Sequence, residues 1–237
     1  MNTHEDNFFN GIKDGIPICL GYLSVSFAFG IFSVNQGLKI WQTVLISMTN
    51  LTSAGQLAGV PIIAGALPFV EMILSQFIIN LRYALMSISL SQKLDKKVTL
   101  ADRFLISFFN TDEIFAVSSG RADSVGKHYM YGLALTPYLG WTVGTLLGAA
   151  AGNILPEIVT NALGIAIYGM FIAIILPAAK KNRAVTGAVL VSCALSVLFK
   201  FTPVLNQVSG GFVIIICAVF SSALFALLFP IKEASDE

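Results

Sequence analysis

One stretch, Trp41 to Ala64 (WQTVLISMTNLTSAGQLAGVPIIA), is long enough to cross a bilayer and yet is interrupted in its middle. Apolar residues run to Met48, then Thr49, Asn50, Thr52, Ser53, Gly55 and Gln56 crowd together, and apolar residues resume at Leu57. A hydrocarbon core offers the backbone no water, so irregular chain at that depth survives only where it is buried in protein or lines a cavity. Broken helices of this kind aim half-helix termini at the charged parts of a solute in secondary transporters. The pattern predicts a broken helix or a re-entrant pair of half-helices, with a substrate pocket at the break.

The rest of the chain agrees with a membrane setting. Of 237 residues, 56% are hydrophobic and 11% charged, with a mean hydropathy of +0.80, far from an average soluble domain. A spanning helix needs about 20 mostly apolar residues, and such runs recur along the whole length, leaving no room for a soluble domain. A single transmembrane domain over 1–237 is expected, with 1–14 as a cytoplasmic N-terminal segment and 231–237 as a cytoplasmic tail. The polar start has no basic n-region, and no cleavage site follows the first apolar run, so the first helix is expected to remain in the mature protein. A net charge of +1 excludes a strongly basic nucleic-acid surface. Cys19, Cys193 and Cys217 lie in apolar runs without CxxC spacing, as small buried hydrophobes would.

The first span is expected over Gly15 to Gln36, with Pro17 near its start, and the interrupted element follows a short loop. Leu67 to Leu90 is the most polar full crossing: at 100° per residue Glu71, Ser75, Arg82 and Ser89 share one stripe, with Gln76, Asn80, Tyr83 and Ser87 beside it. The loop Ser91 to Arg103 carries Lys93, Lys96, Lys97 and Arg103, which places it in the cytoplasm. Phe104 to Ser118 is apolar but short, with Asn110, Thr111, Asp112 and Glu113 at its centre and Arg121 and Lys127 beyond it. Both of its ends read as cytoplasmic, so a second re-entrant or a short broken helix is expected there, although a tilted span also fits. Tyr129 to Gly152 carries Gly140, Gly144, Gly148 and Gly152, a ladder that lets another helix approach closely. The loop 153–161 holds Glu157 and no Lys or Arg and is expected outside. Ala162 to Ala179, Ala184 to Phe201 and Gly211 to Pro230 supply three further spans, the first ending at Lys180, Lys181 and Arg183 and the last at Lys232. The fold class is therefore an all-α polytopic bundle with broken or re-entrant helices. Two interrupted elements entering from opposite sides suggest two inverted repeats.

No GxxxxGK[ST], HExxH or GxSxG occurs, and His4 and His128 are far apart, so the chain reads as a non-enzyme with no cofactor and no metal. An ionisable group within a membrane costs roughly 2.5 to 3.5 kcal/mol on insertion scales, which makes each one a functional candidate. Asp112 and Glu113 are the chief cases, as proton-coupling or ammonium-binding groups; a structural ion pair or a helix cap is the plainer alternative. Arg82 reads either as an interfacial, snorkelling cation or as the partner of an acid or of a substrate carboxylate.

At these positions the chain resembles the AzlC family, the large subunit of bacterial branched-chain amino acid exporters. The resemblance rests on GYLSVSFAFG (Gly21 to Gly30), SAGQ (Ser53 to Gln56), NLRYALMS (Asn80 to Ser87), TDEIFAVS (Thr111 to Ser118) and YLGWTVGTLLG (Tyr138 to Gly148). It implies export of leucine, isoleucine, valine and related amino acids from the bacterial cytoplasm across the cell membrane, driven by the proton motive force, with a small AzlD-type membrane subunit as partner. The site residues come from the chain's own pattern. Asn50, Thr52, Ser53, Gly55 and Gln56 at the break, with Asn80 and Arg82, are expected to bind the substrate, and Asp112 or Glu113 to take its ammonium group or the coupling proton. A channel or a non-transporting membrane scaffold is the alternative reading.

Overall fold

The computed structural model describes residues 6–152 and 179–230, together with 154–156, 158–159, 169, 172 and 175–177. Most of the expected span Ala162 to Ala179, residues 153, 157, 160 and 161 of the expected outside loop, and the tail 231–237 lie outside the described residues. Among those described the fold is all-α, and four helices are long and apolar enough to cross a membrane.

Two long helices, α1 (Phe8–Asn35) and α7 (Lys127–Gly152), form the spine. Small residues on both faces bring the backbones together. Gly132 lies against the Phe8 carbonyl, Gly140 against Cys19, Gly144 against Leu23, Gly148 against Phe27 and Gly152 against Ile31. Residue numbers rise together, so α1 and α7 run parallel and touch along their whole length. A Cβ at Gly140 would stand 2.7 Å from the Cys19 carbonyl oxygen, and one at Gly30 only 2.5 Å from the Ala149 nitrogen. Without a hydrophobic force between helices in lipid, such close dispersion contact is what holds them. α1 starts at Phe8, ahead of the expected Gly15, because the Asn7 side chain accepts the Phe9 N–H at 2.9 Å and supplies the cap. Pro17 consequently lies inside α1 rather than near its start.

α4 (Phe69–Lys93) runs antiparallel to this pair. Its end meets the segment leading into α7: Val125 N–H donates to the Lys93 carbonyl at 3.0 Å, and Asp95 N–H to the Val125 carbonyl at 2.9 Å. The end of α4 and the starts of α1 and α7 thus share one end of the bundle, where Lys93, Lys96, Lys97, Arg103, Arg121 and Lys127 gather. This is the basic end. Phe69, Ile73, Phe77, Leu81, Leu85 and Ile88 leave an exposed apolar stripe along α4, as a lipid-facing surface requires.

The interrupted stretch is two half-helices, α2 (Ile40–Thr49) and α3 (Ala54–Ala64). α2 leaves the end of the bundle opposite the basic one and descends along α7, with Ser47 Oγ 2.7 Å from Thr145 Oγ1 and the Tyr138 hydroxyl donating to the Met48 carbonyl at 3.1 Å. α3 then starts beside the middle of α4, where Gly55 faces Gln76 and Asn80, and retreats toward its beginning, where Gly59 faces Met72. Both half-helices therefore open to the same end, and the element is re-entrant.

α5 (Leu100–Phe108) and α6 (Asp112–Ser119) repeat this from the basic end. Tyr131 near the start of α7 donates to Asp102 in the first turn of α5, and Arg121 just after α6 lies over the Tyr129 ring at 4.2 Å and 3.5 Å from Asp14. Each re-entrant pair is followed by a full-length helix, α4 after one and α7 after the other, and those two helices run oppositely. The units α2–α3–α4 and α5–α6–α7 thus carry the inverted relation; the parallel helices α1 and α7 are not its counterparts. α8 (Arg183–Phe201) and α9 (Gly210–Leu228) follow, with Gly187 against the Phe225 ring and α9 packed on α4. Cys217 is buried, as expected, whereas Cys193 sits on the exposed face of α8.

Candidate functional site

The two re-entrant tips approach each other at mid-depth and enclose a cavity of about 220 Å³. Leu51, Ser53 and Ala54 come from one tip and Thr111, Asp112 and Glu113 from the other; Ile79, Arg82 and Tyr83 of α4, Tyr22 of α1, Trp141 of α7 and Ile175 also line it. This is smaller than the roughly 300 to 1,000 Å³ of drug-sized pockets and sets a small solute as the occupant.

Local sequence makes both tips. Ser53 stands at φ 41°, a left-handed conformation unusual for a residue with a Cβ, and it turns the chain sharply into α3. The turn is held by Gln56, whose side-chain oxygen accepts the Ser53 N–H at 3.2 Å while its amide donates to Ser47 Oγ at 3.0 Å. Gln56 is 1% exposed, so it fastens α2 to α3 from within. Thr52 Oγ1 donates to Asn50 Oδ1 at 3.0 Å, Gln76 donates to the Gly55 carbonyl at 2.8 Å, and Asn80 donates to Gln76 at 3.2 Å. At the other tip Thr111 caps α6 by accepting the Ile114 N–H at 3.4 Å, and Asn110 donates to Ser87 at 3.2 Å.

Of the residues expected to bind substrate, the structure places Ser53 and Arg82 on the cavity wall together with Asp112 and Glu113. Asn50, Thr52, Gly55, Gln56 and Asn80 stand behind that wall and shape the break. Gly55 has a packing reason, since a Cβ there would lie 2.7 Å from Gln76 Oε1.

The charges are arranged in pairs. Arg82 Nη1 lies 2.8 Å from Asp112 Oδ2, and its Nη2 donates to the Tyr83 hydroxyl at 3.1 Å. The Tyr83 hydroxyl in turn approaches the Thr52 carbonyl at 3.5 Å, so adjacent residues of α4 reach both tips. Glu113 accepts from the Tyr22 hydroxyl, which is also 2.7 Å from Thr111 Oγ1. Asp112 and Glu113 occupy the first turn of α6, where the helix dipole favours negative charge. Tyr22 and Trp141 pack edge to face, with centroids 5.2 Å apart and planes at 75°. Among the described residues the cavity thus offers one cation, two anions and the apolar surfaces of Leu51, Ile79, Trp141 and Ile175.

Tyr22 and Trp141 were not singled out by residue pattern, because each sits in an apolar run where an aromatic reads as packing. Tyr83 did show, on the second polar stripe of its helix.

The profile of the AzlC protein family matches residues 17–155, which contain both re-entrant pairs and every described cavity-lining residue except Ile175. An uncharacterized membrane protein of Archaeoglobus fulgidus is 32% identical over 184 residues, 77% of this chain and 80% of that protein. The inner membrane protein YgaZ of Escherichia coli is 26% identical over 201 residues, 81% of this chain and 82% of its own length. An uncharacterized membrane protein of Helicobacter pylori is 24% identical over 157 residues, covering 63% and 67%. No solved structure matches. With the profile spanning more than half of the chain and the re-entrant bundle lying within it, this chain belongs to the AzlC family of membrane proteins.

Proposed function

We propose that the chain is a secondary-active exporter of branched-chain or other neutral amino acids across the bacterial cytoplasmic membrane, drawing on the proton motive force and working with a small AzlD-type subunit. The observation that carries this reading is the cavity between two re-entrant tips, with opposite charges paired on its wall. An amino acid brings a carboxylate and an ammonium group, and each can replace one member of the Arg82–Asp112 pair. Its carboxylate takes the Arg82 guanidinium and donors of the Ser53 turn. Its ammonium group takes Asp112 or Glu113. Leu51, Ile79 and Trp141 receive the aliphatic side chain.

Such an exchange needs the site to be loosely self-satisfied when empty. A partly exposed ion pair contributes about 0 to 1 kcal/mol, so separating it costs little compared with leaving either charge alone. Tips that enter from opposite ends fit alternating access, because each can open the cavity toward one side of the membrane.

The test is counterflow of labelled leucine in proteoliposomes holding the full chain, with and without the small subunit, with histidine and glutamate as competitors. Saturable exchange, blocked by isoleucine and valine but not by glutamate, is the expected result. Flux that does not saturate and shows no counterflow would make the chain a channel, and no flux in either preparation would reject transport of these solutes.

A further inference from the structure

Glu71, one turn into α4, is 0% exposed and sits at the opposite end from the basic cluster, away from the cavity. Its Oε1 accepts the Gly211 N–H at 2.7 Å, so a carboxylate of α4 caps α9 across the helix interface. Ser209, which precedes α9, makes no capping bond of its own, and its Oγ is buried without a partner among the described residues. Glu71 Oε2 is likewise buried and unpartnered among them. Gly211 is required for the approach, since a Cβ there would lie 2.5 Å from Glu71 Cγ and 2.9 Å from Cδ. The interface is built around the carboxyl group.

A fully buried carboxylate with one N–H donor and a helix terminus is undercompensated; burial of a charge is tolerated only when it is paired. Among the described residues, the elements packed around it provide no pair. α3 has no ionisable side chain and α9 has only Cys217. The next charge on α4 is Arg82, about three turns along and engaged with Asp112. Lys200, on α8, lies over the Phe201 ring at 5.9 Å and makes no ion pair with Glu71 among the described residues. By contrast, Asp112 and Glu113 both have partners at the cavity.

We propose that Glu71 is the binding site of the coupling proton, taken up by its free carboxylate oxygen at the α4–α9 interface. Glu71 and Arg82 fall on one stripe of α4, so the ion site and the substrate cavity are joined by a single rigid helix. Occupancy by the proton favours α9 seated on α4, and release loosens that seat. This rests on the transport reading above only for its role in coupling; the ion site itself is read without transport.

The experiment has two parts on the full chain. Infrared difference spectra of the purified protein, taken on a pH step, are expected to show a protonated-carboxyl band that Glu71→Gln removes and Glu71→Asp shifts. A Glu71 band that responds only to a Na⁺ for K⁺ exchange and not to pH would overturn the assignment to H⁺. Absence of any Glu71-dependent band in the wild-type protein overturns the proposal. In proteoliposomes Glu71→Gln is expected to keep leucine counterflow and lose gradient-driven accumulation. If wild-type protein shows no counterflow, the transport reading falls while the infrared result stands; if Glu71→Gln still accumulates substrate against its gradient, the coupling role falls.

Discussion

Arg82 and Asp112 form an ion pair of 2.8 Å that ties the middle of α4 to the first residue of α6, across the cavity between the re-entrant tips. Each side chain is only partly covered, at 44% and 36% exposure, so the pair is a weak brace and an accessible one. Arg82→Gln and Asp112→Asn are therefore expected to lower stability by about 1 kcal/mol or less. Leucine exchange should nevertheless be lost in both. Thermal unfolding in detergent and counterflow check the two halves of the statement, and full exchange in either variant would remove that residue from the site.

Tyr22 donates to Glu113 and packs edge to face on Trp141. Tyr22→Phe keeps the ring contact and deletes the hydrogen bond to a charged group, which is worth about 1.5 to 3 kcal/mol. The half-saturation concentration for exchange is expected to rise about tenfold or more, with the fold unaltered. A concentration series of counterflow measures it.

The α1–α7 seam admits no extra methyl group where backbones touch. Gly148→Ala drives a Cβ into the Phe27 carbonyl and is expected to cost about 1 to 3 kcal/mol. Gly21→Ala has open space around it and should be neutral or stabilising by up to about 1 kcal/mol. Equal melting temperatures for the two variants would contradict the seam.

Re-entrant entry from opposite ends predicts sidedness. In a background lacking Cys19, Cys193 and Cys217, single cysteines at Lys39 and Leu67 should label from one side of the membrane, and at Lys96 and Asp123 from the other. Labelling of Lys39 and Leu67 from opposite sides would show that 41–64 crosses.

At the basic end, hydrogen bonds from Tyr131 at 2.5 Å and from the Thr99 hydroxyl and N–H, with Lys127 at 3.6 Å, hold the Asp102 carboxyl well below the usual carboxylate range. Its contribution to the folded state is complete above the ordinary value of about 3.9 and is lost as pH falls below it. Asp102→Asn should thus lower the melting temperature at neutral pH and flatten its fall in acid. A pH series of unfolding curves compares the two proteins.

Much of this was legible in the residues. Polar groups at Thr49 to Gln56 and at Asn110 to Glu113 lie deep in apolar stretches, so local sequence pointed to a break in both places, although at the second a tilted span also fitted. The basic residues flanking Phe104 to Ser118 implied that this segment returns to its own side. The glycine ladder of α7 pointed to a close helix contact, because residues without a side chain let another backbone approach. The apolar run begins at Gly15, whereas α1 begins at Phe8 because the Asn7 cap sits in the polar segment before it.

Partners were not legible. That Arg82 meets Asp112, that Tyr22 reaches Glu113, and that α1 rather than α4 fills the glycine ladder depend on helix directions and depths set by the whole bundle. Gln56 had the right type to touch a solute, yet its amide is consumed in joining α2 to α3. Glu71 differed little in sequence from any acid near a helix start, and only the approach of Gly211 on α9 left it buried beside a helix terminus. Sequence determined where the chain must break and which faces are polar, since backbone solvation and side-chain period act locally. Tertiary structure alone decided which polar groups satisfy one another, since burial and pairing depend on residues far apart in the chain.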